Sequence, residues 1–388
     1  MTKPSLNNSM GTFSTQDMID LLKTDLSHSQ LINQNGSMVL IKHPTPPTAK
    51  MCFDILELFN ATRNASLPIA ELKQCTFQKG HGMYTVDLKK DFNFSIDRLR
   101  TIFNYHFTDI LYYGIEVQAF LDIRSQFTAE EKNQLEIDAQ QKLKSRTHAE
   151  KYATLLNRFF KQFQDHILSS AYKKKERDRK NTRAKNKTVC INLFKSILAR
   201  YSKVLVIRID FSLKRDIHTL TSQFSSLDEV QSKYDLKYIQ SCMKRFKQNR
   251  RHHSMLKKIE GYIFQYEYSF KTGFHIHAYF FFNGNEHQKD ISIAQMISDY
   301  WKKLTNDQGC TFICNMKKEQ YKHSAIGMIH YSDQEKQQYL FSTFDYICKA
   351  DQFFVFSPLK KQKTFQCSQP LKRHSNAGRP RQYTVSTH

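Results

Sequence analysis

The sequence predicts an α+β protein: an antiparallel sheet with flanking helices in its second half, preceded by a mainly helical N-terminal region. Three observations predict it. Apolar residues recur at helical spacing up to about residue 167, runs rich in β-branched and aromatic residues begin at Val204, and an almost wholly charged or polar stretch, Lys173–Lys187, separates the two patterns.

Taken in order, Met18-Leu21-Leu22, Phe53-Ile55-Leu56-Phe59 and Leu99-Ile102-Phe103-Phe107-Ile110-Leu111 carry helical periodicity without chemical motifs. Thr128-Ala129-Glu130-Glu131 has the form of a capping box opening a long helix, continued by the stripe Tyr152-Leu155-Leu156-Phe159-Phe160-Phe163-Ile167. The run Lys173–Lys187 reads as a solvated helix end or linker, and as a candidate for contact with a DNA backbone. Strands are expected over Val204–Phe211, Gly261–Phe270, Phe274–Phe282 and Cys310–Met316. Helices are expected around Asp228–Asn249 and over Ile291–Leu304 and Gln334–Ala350, with a basic loop at 244–258. The resulting order β, α, β, β, α, β, α suits an antiparallel sheet with helices on one face. Four segments follow: a mainly helical region over 1–130, a long helix and basic linker over 131–188, the principal domain over 189–365, and a basic flexible tail over 366–388.

The chain has 388 residues, 30 Phe, 19 Tyr and only 8 Pro, so it can bury a proper core and is not compositionally disordered. Its formal charge of +23 suits a polyanionic partner. Residues 1–130 hold 12 basic and 13 acidic side chains, whereas the remainder holds 47 and 23, so the excess lies after residue 130. No run reaches the ~20 apolar residues of a membrane span, and residues 2–16 lack a signal-peptide core, so a cytoplasmic protein is expected. The eight cysteines are scattered, without a C-x-x-C pair, which favours reduced thiols over a disulfide framework.

In Phe274-His275-Ile276-His277-Ala278 the period of two in a strand turns both imidazoles to one face, where they can share a divalent ion or simply be two histidines at a surface or in a core. A three-residue loop Lys271-Thr272-Gly273, with Gly273 left-handed, pairs Phe270 with Phe274 and sets Glu267 opposite His277 on that face. A two-residue loop slips the register and turns Glu267 away. Farther on, Tyr346-Ile347-Cys348-Lys349 is a Y-x-x-K on a helix, whose first and last residues share a face. A phenol with a pKa of about 10 is a poor nucleophile near neutral pH, so a divalent ion on the phosphate and a cation nearby would both assist Tyr346. Read alone, Tyr346 is one of many tyrosines packing a helix.

Arg208–Ser212 (R-I-D-F-S), Glu267–His277 (E-Y-S-F-K-T-G-F-H-I-H) and Tyr346–Lys349 (Y-I-C-K), taken in order, resemble the three-motif pattern of the HUH endonucleases. Within that superfamily the chain is most similar to single-tyrosine rolling-circle replication initiators of the inovirus Gp2 type, and the G-R-P-R at 378–381 is similar to their tail. The resemblance runs from about Val204 to Arg381. It implies an HUH/RRM-like nuclease core in which His275, His277 and Glu267 ligate Mg²⁺ or Mn²⁺, Tyr346 forms a 5′-phosphotyrosine and Lys349 assists. Position 342 is Ser, so the second tyrosine of two-tyrosine enzymes is missing, and Tyr339 is expected to pack. The implied activity is nicking and rejoining of single-stranded or hairpin origin DNA in a bacterial host cell, at the start of rolling-circle replication of a phage, prophage or related element.

Arg208, Lys244, Arg245, Arg250, Arg251, Lys271, Arg379 and Arg381 are candidate DNA contacts. No Walker A loop is present, so a helicase, like a polymerase, would be a host partner. Competing readings are a non-catalytic DNA-binding regulator, a transposase or relaxase of the same chemistry, and a metallo-hydrolase using water. Trp301 is expected in the core, and Arg251-His252-His253 in a solvated loop.

Overall fold

The computed structural model describes residues 29–32, 38–41, 47–75, 83–107, 111–135, 145–214, 226–269, 273–320, 324–348, 354–356 and 363–372. The chain divides into two compact units: unit 1 comprises 1–108 and 113–175, and unit 2 comprises 109–112 and 176–388.

Unit 1 contains β1 (Ser29–Ile32), β2 (Met38–Ile41), α1 (Pro47–Arg63), β3 (Ala70–Cys75), β4 (Met83–Leu88), α2 (Ile96–Asn104), α3 (Ile115–Ser125), α4 (Ala129–Leu135) and α5 (Arg146–Leu168). The strand β5 (Leu111–Tyr113) intervenes in sequence and counts with unit 2 through Tyr112. The apolar stripe of α5 behaves as its periodicity predicts: Phe159, Phe160 and Phe163 are fully buried. Phe103 and Phe120 meet Phe159 edge-on at 4.9 and 6.1 Å, an arrangement favoured by the ring quadrupoles. The Thr128–Glu131 capping box forms, with Glu131 N donating to Thr128 Oγ1 at 3.2 Å and Thr128 N to the Glu131 carboxylate at 2.9 Å. The helix it opens is described as far as Leu135, and α5 begins anew with Ser145 as its cap. The β3–β4 hairpin also departs from the expected helical reading. Its alternation is masked by polar residues such as Glu71 and Lys73, and it is fixed instead by Asn157 of α5, whose amide bonds Ile69 N, Ala70 N and Ala70 O at 2.8–2.9 Å.

Unit 2 is an antiparallel sheet between helices. The long helix α6 (Ser170–Arg200) runs through the unit boundary in sequence, so the charged run expected as a solvated helix end or linker is helical throughout. Then come β6 (Lys203–Leu213), α7 (Ser226–Asn249), β7 (Ile259–Ser269), β8 (Gly273–Asn283), α8 (Asp290–Leu304), β9 (Gly309–Ile313), a 3-10 helix (Cys314–Gln320), β10 (Gly327–His330), α9 (Gln334–Ile347), β11 (Phe354–Phe356) and β12 (Phe365–Cys367). The sheet order is β10-β6-β8-β7-β12, with β9 pairing the C-terminal half of the β6 edge whose N-terminal half pairs β10. Asn315 fills the interval between those two pairings. Its Oδ1 accepts from Arg208 N at 2.9 Å and its Nδ2 donates to Val206 O at 3.1 Å, so the side chain completes the ladder.

Helices cover both faces of this sheet, rather than the one expected. Val206, Ile263, Tyr279 and Phe281 share a core with Leu193, Phe194 and Ile197 of α6 and Phe344 and Ile347 of α9. The alternate residues Phe211 and Phe280 pack on Phe246 of α7, and Phe211 also on Trp301 of α8, which is buried as expected. Such two-sided burial makes the strands near-continuous in apolar residues, which is why their sequence did not show which face was covered. Gly261 permits the close approach of α6: a Cβ there would lie 2.8 Å from Ile197 Cδ1. Lys244–Asn249 belongs to α7, so the basic loop starts only at Arg250. The expected tail from residue 366 is tied in as far as Leu371, through β12 and a bond from Leu371 N to Ser196 Oγ at 2.9 Å. No helix among the described residues is long and apolar enough to cross a membrane.

Candidate metal centre and nucleophile

The β7–β8 hairpin pairs Ser269 with Gly273, Tyr268 with Phe274 and Glu267 with His275. The connection is three residues long, as expected, but spans 270–272. Gly273, with φ of 67°, is the first residue of β8, and Glu267 faces His275 rather than His277. A shift of two residues preserves the face of every side chain, so Glu267, His275 and His277 still converge.

Glu267 Oε2 lies 3.3 Å from His277 Nε2 and 3.8 Å from His275 Nε2, and the three donor atoms fall within 4.8 Å of one another. All three side chains are largely covered, at 17, 8 and 11% exposure respectively. Both histidines use their other nitrogen: His275 Nδ1 bonds the Gly273 carbonyl at 3.0 Å, and His277 Nδ1 bonds Asp210 Oδ1 at 2.7 Å. Those acceptors assign an N–H to each Nδ1 and turn both Nε2 atoms toward Glu267. A carboxylate behind a ligating imidazole is a recurrent device of metal sites.

Charge in the cluster is finely divided. Burial pulls His277 down, but the Asp210 and Glu267 carboxylates outweigh it and push its pKa up to about 10. His275 is pulled down by burial and by His277 beside it. Burial raises Glu267 and Asp210, yet the histidines hold Glu267 below the usual carboxylate range, and His277 with Arg208 holds Asp210 well below it. A proton on His277 thus occupies the role a divalent cation would take, and metal binding would displace it. Two imidazoles and one carboxylate suit a borderline or hard divalent ion.

Tyr346 of α9 reaches this cluster from the same face. Its ring centre is 6.0 Å from that of His277, and the Arg208 guanidinium carbon is 5.6 Å from it. Lys187 Nζ to Asp345 Oδ2, at 2.6 Å, joins α6 to α9 beside Tyr346. Tyr339 bonds Glu335 and lies partly buried against the core, consistent with a packing role.

The other candidate DNA contacts are dispersed. Lys244, Arg245 and Arg251 are exposed, and Arg250 lies over the Tyr262 ring at 5.5 Å, on the face opposite His277. Lys349, Lys271, Arg379 and Arg381 fall outside the described residues. His253 is structural: its Nδ1 accepts from Met255 N and Leu256 N, and its ring packs on Tyr300. Two contributors had no role assigned from sequence, Asp210 and Asn315. Alternation of polar Arg208, Asp210 and Ser212 with apolar Ile209 and Phe211 marks a polar face on β6, but only the register Asp210–His277 discloses its partner.

Residues 187–368 match the model of the YagK/YfjJ C-terminal domain. The matched segment is just under half the chain and contains Arg208, Asp210, Glu267, His275, His277 and Tyr346. No curated protein and no solved structure matches the chain significantly.

Proposed function

We propose that unit 2 is a metal-dependent nickase and ligase of single-stranded DNA, acting through a covalent 5′-phosphotyrosine on Tyr346 in the manner of an HUH rolling-circle initiator. The observation that carries this reading is the approach of Tyr346, from a separate helix, to a histidine pair, one of them backed by a carboxylate, with a third ligand in reach. Glu267, His275 and His277 would hold Mg²⁺ or Mn²⁺, which would polarise the scissile phosphate. Asp210 orients His277, and the excess of basic residues after position 130 draws the strand in. Tyr346 attacks phosphorus and releases a 3′-hydroxyl able to prime synthesis, and a later 3′-hydroxyl reverses the step and rejoins the strand. Because the phosphodiester is exchanged rather than hydrolysed, no nucleotide cofactor is required.

Charge alone would suit a non-catalytic DNA-binding regulator equally well. The clustering of largely covered titratable groups beside a tyrosine favours the enzyme, since structural cores avoid such groups. Incubation of the full chain with circular single-stranded DNA and Mn²⁺ is expected to give nicking and a denaturation-resistant adduct that maps to Tyr346. Tyr346→Phe is expected to abolish both while leaving DNA binding intact. Undiminished nicking by that variant rules out the assignment, and hydrolysis without an adduct would point to water as the nucleophile.

A further inference from the structure

Arg208 stands where the nucleophile and the histidine cluster meet. It lies opposite Tyr279 in the β6–β8 register, and its backbone N is fixed by Asn315. Its guanidinium carbon lies 5.7 Å from the Tyr279 ring centre and 5.6 Å from that of Tyr346. Its Nε is buried without a hydrogen-bond partner, and the Asp210 carboxylate stays at 3.8 Å, beyond hydrogen-bonding distance. A cation ion-paired with the neighbouring carboxylate but not hydrogen-bonded to it still has donors to offer a further anion.

We propose that Arg208 is a catalytic residue of this site, donating to a non-bridging oxygen of the phosphate that Tyr346 attacks. The inference rests on the nickase reading and deepens it. Charge balance motivates it: a dication, two neutral imidazoles, Glu267 and Asp210 sum to zero, so an incoming phosphodiester would otherwise be an uncompensated anion. Arg208 supplies the missing positive charge, on a planar fork that fits phosphate oxygens. In the step itself the Tyr346 oxygen bonds to phosphorus as the phosphorus–O3′ bond breaks, and the phenolic proton passes, in net terms, to the departing 3′ oxygen. Charge concentrates on the non-bridging oxygens during the attack, where a preorganised guanidinium is worth most.

The test uses the full-length chain, a labelled single-stranded oligonucleotide and Mn²⁺, under single turnover with protein saturating the DNA. Arg208→Ala is expected to slow adduct formation by about 100-fold or more, the usual effect of deleting one such donor. Mn²⁺ binding, read by electron paramagnetic resonance, is expected to persist. Low concentrations of free guanidinium ion should restore part of the rate to Arg208→Ala and none to Tyr346→Phe, and Arg208→Lys should fall between wild type and Ala. A wild-type rate in Arg208→Ala overturns the proposal, as does a loss of rate that only parallels a loss of Mn²⁺ binding, because Arg208 would then merely support Asp210. Absence of any adduct in the wild-type chain is a different result, and it removes the nickase reading itself.

Discussion

The Asp210 carboxylate shows how one residue can set the affinity of a site it does not line. Its 2.7 Å bond to His277 Nδ1 fixes the ring and makes Nε2 a better donor. The same negative charge also favours the competing proton on His277, whose pKa stands at about 10. A divalent ion carries twice that charge at much the same distance, so the metal gains more than the proton does. Asp210→Asn keeps the shape and removes the charge, and is expected to weaken Mn²⁺ binding by about 10- to 100-fold. Titration calorimetry at fixed pH measures this, and unchanged affinity would show that the carboxylate only positions the ring. At this scale the sequence was partly legible. The H-x-H spacing put His275 and His277 on one face, and a three-residue loop was expected to add Glu267 to it; the two-residue alternative, which turns Glu267 away, is excluded only by the observed register. Asp210 could not be given a partner, because that depends on which residue of a strand remote in sequence lies opposite.

Among the elements, β6 carries the largest structural burden, and its outer edge is pieced together from β10, the Asn315 side chain and β9. Asn315 is fully buried, and its Nδ2 also donates to Asp290 Oδ2 at 3.1 Å at the start of α8. Asn315→Ala would strand Arg208 N, Val206 O and part of Asp290 without partners. It is expected to destabilise unit 2 by about 1–3 kcal/mol, the desolvation cost of orphaned buried polar groups, and to loosen Arg208 where it meets Tyr346. Urea denaturation reads the first effect and single-turnover adduct formation the second, and a variant with wild-type midpoint and rate would contradict both. Element identities followed from periodicity in β6, β7, β8, α8 and α9. Short elements such as β10 and β12 escaped because three or four residues are too few to show a period, and their place is dictated by the edges they cover.

On the scale of the molecule, charge is distributed as unevenly as chemistry. Unit 1 takes most of its chain from the near-neutral first 130 residues, whereas the site residues all lie in the basic remainder. Coulomb attraction to a DNA backbone is sequence-independent and works through release of condensed counterions, so its signature is salt dependence. If a bound strand places about six phosphates against this surface, the logarithm of its affinity should fall with the logarithm of salt concentration at a slope of about −4. Tyr346→Phe should keep that slope, since it removes no charge, whereas Arg208→Ala should flatten it by less than one contact's worth. Fluorescence anisotropy over a range of salt concentrations measures all three. Affinity that barely responds to salt would mean that the basic residues after position 130 are a solvated surface, and that whatever brings a strand to Tyr346 is stacking or base contact instead.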